Sequence, residues 1–455
     1  MYSAEVCKKA RLSRDARFDG KFFTAVKTTG IYCRTTCPVY PPKEVNVEYH
    51  PTAMSAANAG FRPCLRCRPD SAPGSPASKG TGATLERALK LIEAGALQKA
   101  AVTNLADRLG VSDRYLRKLF HQQLGVSPKT YALYQQCLFA KKLLHQTNMP
   151  ITDIALASGF ESIRRFNDCF KTMLKLTPTE MRRKSNKKSS SLSLELFYRP
   201  PFDWLHMQVY LQTRAIKGVE WCDDKGYGRY FVLHGHKGKF NAVHHPAKHK
   251  FDVEIELDDI SVLKLVVNNI RRVLDLDADL QTIEANLQCA LGDNFTLASG
   301  IRLLGIWAMY EAGIRAILGQ HVSVVAAQQL VNQLVAQLGE TNEKGAYFPT
   351  PEAVAASDLT FLNIPQSRIN TLKGFSQHYV HAESPQHVDT WHAIKGIGPW
   401  TMQYAQMRGA SDPDIYLSTD LGIKKAQQFV GQDFEPALAS PWRSYLNLQL
   451  WNKLK

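Results

Sequence analysis

The chain has 455 residues, 44% of them hydrophobic, and a formal net charge of +15. That length suggests roughly three or four domains, and no run approaches the ~18–20 apolar residues of a membrane span. Residues 1–190 hold 32 Lys and Arg against 14 Asp and Glu, so the whole positive excess, a footprint suited to nucleic acid, sits at the front. Nine cysteines, an odd number, argue against a secreted disulfide framework. With no apolar leader at the start, a soluble cytoplasmic protein is expected.

Phe23-Thr24-Ala25-Val26 reads as a short strand, and Thr28-Thr29-Gly30 as the turn that delivers Cys33. Cys33 and Cys37 form one close pair, and Cys64 and Cys67 another. Each pair can bring both sulfurs to one ion from a single turn. The residues between, including Tyr49 and Phe61, can supply a small core around it. Four thiolates in two such pairs suit tetrahedral Zn²⁺. A bare structural staple is the simplest reading of the cysteines. Yet Arg34, Arg62, Arg66 and Arg68 crowd them, and four thiolates outweigh the charge of Zn²⁺ and stay nucleophilic. Alkylation of one sulfur would remove a negative charge, ease repulsion of a DNA phosphate and raise DNA affinity.

Residues 1–70 resemble the N-terminal domain of the Ada methylation-response family. The resemblance implies that Cys33 accepts a methyl group from a DNA phosphotriester. Cys37, Cys64 and Cys67 then stay beside it as zinc ligands, with Thr29 and Arg62 near phosphates. Pro38-Val39-Tyr40-Pro41-Pro42 stands where that family has a basic stretch. The Ser/Pro/Gly/Ala-rich run after residue 70 reads as a flexible linker.

Apolar spacing from Leu85 through Leu97 is helical. Leu105–Val111 reads as a helix ending at Gly110. Ser112 can cap the next, Asp113–Gln123, whose exposed face would carry Arg114, Tyr115, Arg117 and Lys118. This pattern suggests a helix-turn-helix. It recurs about fifty residues later, where Phe170 and Pro178 answer Phe120 and Pro128. Ala155, Gly159 and Phe160 repeat the turn, and Arg164 and Arg165 lie on the second recognition helix. A long helix near Thr130–His145 would join the two units. Two such units side by side resemble the AraC family of DNA-binding domains. Lys175 stands where that family has glycine. Arg182 to Ser191 reads as a basic, disordered linker.

Strands are expected at Leu194–Tyr198, around Tyr230–Leu233 and at Phe251–Leu257. Helices are expected around Trp204–Leu211 and Val262–Leu274, giving a small α+β domain. His234, His236, His244, His245 and His249 cluster between strands and read as loop histidines rather than a metal site.

Helical periodicity dominates beyond residue 300. Within Ile394-Lys395-Gly396-Ile397-Gly398-Pro399-Trp400-Thr401 the glycines permit a tight hairpin whose backbone N–H groups can meet a DNA phosphate. Twenty residues past Trp400 comes Asp420. This pairing resembles the helix-hairpin-helix DNA glycosylases. Ile317-Leu318-Gly319-Gln320, the Gly-Ile-Gly-Pro-Trp-Thr stretch and Pro441-Trp442-Arg443-Ser444-Tyr445 resemble, more closely, the AlkA 3-methyladenine glycosylases, from about Phe197 to the end. An ionised Asp420 can stabilise oxocarbenium charge on the sugar and help direct water. The base must first be flipped into a pocket, for which Gln320, Trp400, Tyr404 and Trp442 are the expected lining. His321 stands where the family has a leucine wedge. Trp400 holds the position at which backbone-cleaving relatives have a lysine, so no lyase step is expected.

The expected fold class is multidomain α+β. It comprises a zinc-bound α/β module (1–72), a linker (73–83), an all-α double helix-turn-helix domain (84–184), a basic linker (185–192), an α+β AlkA N-terminal-like domain (193–298) and an all-α helix-hairpin-helix glycosylase domain (299–455). The expected function is an alkylation response. One zinc, structural and activating, and no organic cofactor serve methyl transfer to Cys33, promoter binding and excision of alkylated bases. Thr29, Arg62, Arg114, Arg117, Arg164, Arg165, Gly396 and Gly398 are the expected DNA contacts. Partners are promoter and alkylated duplex DNA, and RNA polymerase on activation; no membrane is involved, and a monomer is expected. The Pro-Cys-His-Arg motif of the O⁶-methylguanine transferase domain is absent. The rival reading is a non-enzymatic regulator with a structural zinc and a back half that only grips damaged DNA.

Overall fold

β-branched and aromatic residues at 23–26 and 31–34 flank a turn in which Gly30 takes φ +62, a value that glycine adopts freely. In the computed structural model these runs pair as antiparallel strands β1 (Phe23–Val26) and β2 (Ile31–Arg34). The structure describes residues 2–14, 18, 21–64, 66–67, 69, 82–93, 95–98, 100–182, 192–292, 295–430 and 434–454. The two expected linkers and Arg68 lie largely or wholly outside them. The chain divides into two compact units, residues 1–188 with 260–268, and residues 189–259 with 269–455.

In the first unit β3 (Val47–His50) pairs antiparallel with β1, and β4 (Arg62–Pro63) pairs parallel with β2, giving the order β3-β1-β2-β4. Helices α1 (Ala4–Leu12) and α2 (Ala53–Asn58) accompany this sheet. Tyr49 joins the small cluster of Cys7, Ala10, Phe18 and Phe22, and Phe61 meets His50 edge-on.

The helical part comprises α3 (Gly82–Glu93), α4 (Val102–Leu109), α5 (Asp113–Leu124), α6 (Pro128–Gln146), α7 (Ile151–Ala157), α8 (Ile163–Leu174) and α9 (Pro178–Met181). The helix expected through Leu97 stops at Glu93, and Gly95 follows at φ +90. Capping repeats with the fold. Ser112 and Ser162 accept N–H bonds at the starts of α5 and α8, and Ser127 and Thr177 at the starts of α6 and α9. Gly125 ends α5 at φ +74; its counterpart Lys175 ends α8 in the same left-handed conformation at φ +58. The fold thus keeps the turn without the residue that favours it.

The second unit begins with a five-stranded antiparallel sheet of order β5-β9-β8-β7-β6. Its strands are β5 (Leu192–Phe197), β6 (Glu220–Cys222), β7 (Gly226–Leu233), β8 (His236–His245) and β9 (Lys250–Leu257), with helix α10 (Trp204–Arg214) between β5 and β6. The histidine stretch corrects a sequence expectation. His236, His244 and His245 lie within β8, and His234 and Gly235 form the tight β7–β8 turn. Only Phe240 and Ala242 of β8 are buried, which hides the strand period among basic residues. α11 (Leu263–Val273), whose residues through Asn268 are counted with the first unit, and α12 (Leu280–Leu291) follow.

The remaining helices are α13 (Met309–Leu318), α14 (Val324–Leu338), α15 (Pro351–Ala356), α16 (Gln366–His381), α17 (Pro399–Gly409), α18 (Leu421–Ala426) and α19 (Arg443–Asn452). A two-residue hairpin, β10 (Thr341–Asn342) with β11 (Gly345–Ala346), interrupts them. α13 is buried on nearly every side, and a Cβ at its Gly313 would meet Phe375 at 2.2 Å. One core gathers α13, α14 and α16; a second gathers α12, α18 and α19. Among the described residues no helix is long and apolar enough to cross a membrane.

Candidate functional site

β2 ends in Cys33-Arg34 and turns back through Cys37, while β4 leads directly into Cys64. The parallel pairing of β2 and β4 therefore brings the two cysteine pairs together. The ligand atoms of Cys33, Cys37, Cys64 and Cys67 all lie within 4.8 Å of one another. Tetrahedral Zn²⁺ with Zn–S of ~2.3 Å needs sulfurs ~3.8 Å apart, so the residues fit one zinc. This is the metal-ligating cluster found among the described residues; the histidines of β8 form none. His244 is instead stacked on Phe251 and bonded to Tyr198 Oη at 2.8 Å, and burial, then His245 and His249, bring it down to about 4. Cys37 and Cys64 are buried, whereas Cys33 and Cys67 are half-exposed, and Cys67 Sγ accepts the Arg34 N–H at 3.4 Å. Arg34 is itself buried and Arg66 is exposed. Thr29 is exposed in its turn, and Arg62 is half-buried, donating to the Thr29 carbonyl at 3.2 Å.

α5 and α8 present their basic residues as the sequence suggests. Arg114, Arg117, Arg164 and Arg165 are all exposed, while Leu116, Phe120, Phe166 and Phe170 face inward. Arg117 is steadied by Asp113 one turn earlier, at 2.9 Å.

A cavity of about 1200 Å³ opens in the second unit, lined by residues of α10, β6, α13, α14, α17, α18 and α19. Asp420 caps α18 and sits in its wall. Its Oδ1 accepts from Ile423 N–H at 3.0 Å and Trp451 Nε1 at 2.9 Å; its Oδ2 accepts from Trp400 Nε1 at 2.9 Å. Three N–H donors thus hold the carboxylate in one orientation. Trp400 and Tyr404 stack at 5.1 Å with 19° between planes. Tyr210 of α10 lies between the guanidiniums of Arg214 and Arg408, 4.1 and 4.7 Å from its ring centre. Burial opposes ionisation of that phenol, but Arg408, Arg214 and Arg315 bring it below its usual range. Burial pushes the Tyr404 phenol up to about 12.

Beside the cavity Arg229 pairs with Glu220 at 3.1 Å and Glu311 at 2.9 Å, and Arg315 with the same two carboxylates at 2.7 and 2.6 Å. Burial opposes ionisation of Glu220, yet Arg315 and Arg229 bring its carboxyl down to about 2. This network ties β6 and β7 to α13, fixing the sheet against the helices that frame the cavity.

At the cavity mouth Gly396 takes φ +92, and a Cβ there would lie 2.1 Å from Thr371 Oγ1. Gly398 caps α17 with open space around it. Gln320, expected in the pocket, lines the cavity but also braces the hairpin, donating to the Gly396 carbonyl at 3.1 Å and Thr401 Oγ1 at 2.9 Å. His321 is exposed at φ +57 between α13 and α14, also on the lining. One expected wall residue is elsewhere: Trp442 precedes α19 and packs against the core that includes Tyr445, outside the cavity lining. Its place as an aromatic near Asp420 is taken by Trp451, at the far end of α19, and Tyr210 adds a further aromatic to the cavity lining. No motif marked either residue; they reach the site only through packing of α10 and α19.

Residues 6–70 match the metal binding domain of Ada, residues 105–184 a helix-turn-helix domain, and residues 193–308 the AlkA N-terminal domain. The chain is 35% identical to a probable bifunctional transcriptional activator/DNA repair enzyme AlkA of Mycobacterium tuberculosis, over 99% of this chain and 96% of the relative. It is 31% identical to DNA-3-methyladenine glycosylase 2 of Escherichia coli, over 56% of this chain and 95% of that protein. It is 37% identical to the bifunctional transcriptional activator/DNA repair enzyme Ada of Escherichia coli, over 33% of this chain and 40% of that protein. With an Ada-type metal module, a helix-turn-helix domain and an AlkA-type rear in one polypeptide, the chain belongs to the family of bifunctional transcriptional activator/DNA repair enzymes.

Proposed function

We propose that the protein answers DNA alkylation twice, by hydrolysing the glycosidic bond of alkylated bases such as 3-methyladenine and by moving a methyl group from a DNA phosphotriester to Cys33. The observation that carries the first activity is Asp420, held by two indoles and a helix N-terminus in an aromatic cavity beside a glycine hairpin. The flipped base enters against the aromatic wall of Trp400, Tyr404 and Trp451, with the stacking suited to a cationic ring. The C1′–N bond breaks and its electron pair leaves with the base. The Asp420 carboxylate stabilises the positive charge left on the sugar, and a water adds to C1′ and loses its proton. His321 takes the wedge position, and the N–H groups at Gly396 and Gly398 meet the backbone phosphate. No lysine stands at Trp400, so the enzyme is monofunctional, and borohydride should trap no Schiff base.

For the second activity Cys33, Cys37, Cys64 and Cys67 would hold one zinc, which keeps the thiolates deprotonated at neutral pH. The Cys33 sulfur attacks the methyl carbon, the S–CH₃ bond forms, and the O–CH₃ bond breaks to leave an ordinary phosphodiester anion. The half-exposure of Cys33, with Cys37 and Cys64 buried and Cys67 already accepting an N–H, supports this choice of acceptor. The transfer is single-use, because the thioether cannot return the methyl group. Loss of one negative charge favours phosphate contact, so promoter DNA binds through Thr29, Arg62, Arg114, Arg117, Arg164 and Arg165, and transcription follows with RNA polymerase. The domain division at 1–72, 84–184, 193–298 and 299–455, a monomeric state and a cytoplasmic location complete the reading.

Base release from DNA containing 3-methyladenine tests it, comparing wild type with Asp420→Asn. Release by wild type, with a loss of about 10²–10³-fold in the variant, is the expected result. DNA binding without release by either protein would instead support a regulator that only grips damage.

A further inference from the structure

The acceptor sheet and the double helix-turn-helix lie in one compact unit, where α2 packs against α8 and two buried side chains of α6 reach the sheet. In the parallel β2–β4 pair, Tyr32 stands opposite Pro63. Each immediately precedes a metal ligand, Cys33 and Cys64. The Tyr32 hydroxyl is 2.7 Å from the hydroxyl of Tyr134, and both side chains are buried. Lys141, 3% exposed, donates to the Pro63 carbonyl at 2.9 Å. Tyr134 and Lys141 both belong to α6 and are about two helical turns apart, so they share one face. Both strands that lead to the cysteine pairs are therefore fastened to a single helix face.

That helix also joins the two DNA-reading halves. α5 runs into it and α7 leaves it, and Gln136, between the two fastening residues, donates to the Gly159 carbonyl in the second turn at 3.1 Å. Arg62 of β4 adds a contact to Met181 Sδ of α9 at 3.7 Å. A buried ammonium and two buried phenols are costly without partners. A sensor swinging freely on its linker would separate these groups from the partners they have here.

We propose that Tyr134 and Lys141 clamp the methyl-acceptor strands onto α6, so that Cys33 and the recognition helices α5 and α8 meet DNA in one fixed register. The affinity gained when Cys33 is methylated then depends on the clamp, because docked modules bind a duplex together while loosened ones act as tethered neighbours. Tyr134 and Lys141 are positioning residues. The methyl-dependent part rests on the reading of Cys33 as acceptor.

The test uses the full-length zinc protein, wild type and Tyr134→Phe/Lys141→Met. The first probe is a duplex selected from random sequence by methylated wild type. The double variant is expected to keep one zinc and the wild-type rate of methyl uptake from methylphosphotriester DNA. Its gain in affinity on methylation should shrink by at least about tenfold. A full wild-type gain in that variant overturns the proposal. If the double variant does not fold, Tyr134→Phe alone removes one hydroxyl and should cut the gain about threefold; no change would overturn it equally. The second probe needs no methyl chemistry. The Arg62 and Cys64 amides donate to the Gly30 and Tyr32 carbonyls across the β2–β4 pair. Their hydrogen exchange in unmethylated protein should quicken in the variant, and unchanged exchange rejects the clamp. Should wild type itself gain nothing on methylation, the acceptor reading fails, and the exchange experiment still decides the clamp.

Discussion

The cysteine cluster and the base cavity are built by opposite strategies. The cluster draws its four ligands from Cys33 to Cys67, two short pairs at the ends of adjacent strands. The cavity draws Tyr210, Trp400, Asp420 and Trp451 from four helices spread across the second unit. A metal supplies the cohesion of the first, since thiolates brought near one another need only a cation. The second has no such staple, and depends on the buried Arg229–Glu220–Arg315–Glu311 network and on two packed cores. A site held by a metal should fail with its ligands, and a site held by packing should fail with its framework.

The sharpest way to separate them is Cys64→Ser. A structural zinc is worth about 10–16 kcal/mol to a small fold, so metal content should fall from one zinc per chain to none, with methyl uptake lost. Base release should stay at the wild-type rate; a parallel loss of both activities would erase the contrast. Next in size is Arg315→Met, which leaves Glu220 and Glu311 to share Arg229 alone in the interior and should cost about 3–5 kcal/mol in urea unfolding of the second unit. Glu220 also gives this framework a pH signature. Its folded carboxyl, at about 2, lies below its ordinary 4.5. Its stabilising effect is therefore complete above pH 4.5 and lost as pH falls toward 2. Arg315→Met should flatten that acid limb, and an unchanged slope would assign the stability elsewhere.

A smaller effect distinguishes two tryptophans. Trp451→Phe removes one of three donors to Asp420 and should slow base release by about 1.5–3 kcal/mol of barrier. Trp442→Phe, outside the cavity lining, should leave the rate within about twofold of wild type, less than a typical neutral hydrogen bond is worth; equal losses would mean that both indoles serve the carboxylate. Smallest is Lys175→Gly. Its left-handed φ is strained for a side chain, so the change should stabilise the first unit by about 1 kcal/mol, read as a raised melting temperature.

Local patterns carried much of the organisation. Ser112 announces its helix because capping depends on the chain a few residues away, and the structure repeats that cap at Ser162. β9 was visible because its side chains alternate and one face is apolar; β1, buried along its whole length, was visible by its β-prone residues alone. β8 was not, because its neighbours bury only Phe240 and Ala242 and leave the histidines to look like a loop. At the cavity, Asp420, Trp400 and Tyr404 lay within reach of the hairpin motif, so spacing found them. Trp442 looked equally eligible beside its Pro-Trp-Arg-Ser-Tyr stretch, yet it turns into the α19 core.

The sequence by itself determined the four metal ligands, the capped recognition helices with exposed arginines, the glycine hairpin and the carboxylate that follows it. Each depends on residue types at short separations, where covalent geometry limits the outcomes. Only the tertiary structure decided that Trp451 and Tyr210 complete the cavity, that Gln320 braces the hairpin, and that Tyr134 and Lys141 meet the strands leading to Cys33 and Cys64. Those partners are chosen by how helices pack, and side-chain burial across distant segments leaves no fixed spacing in the chain.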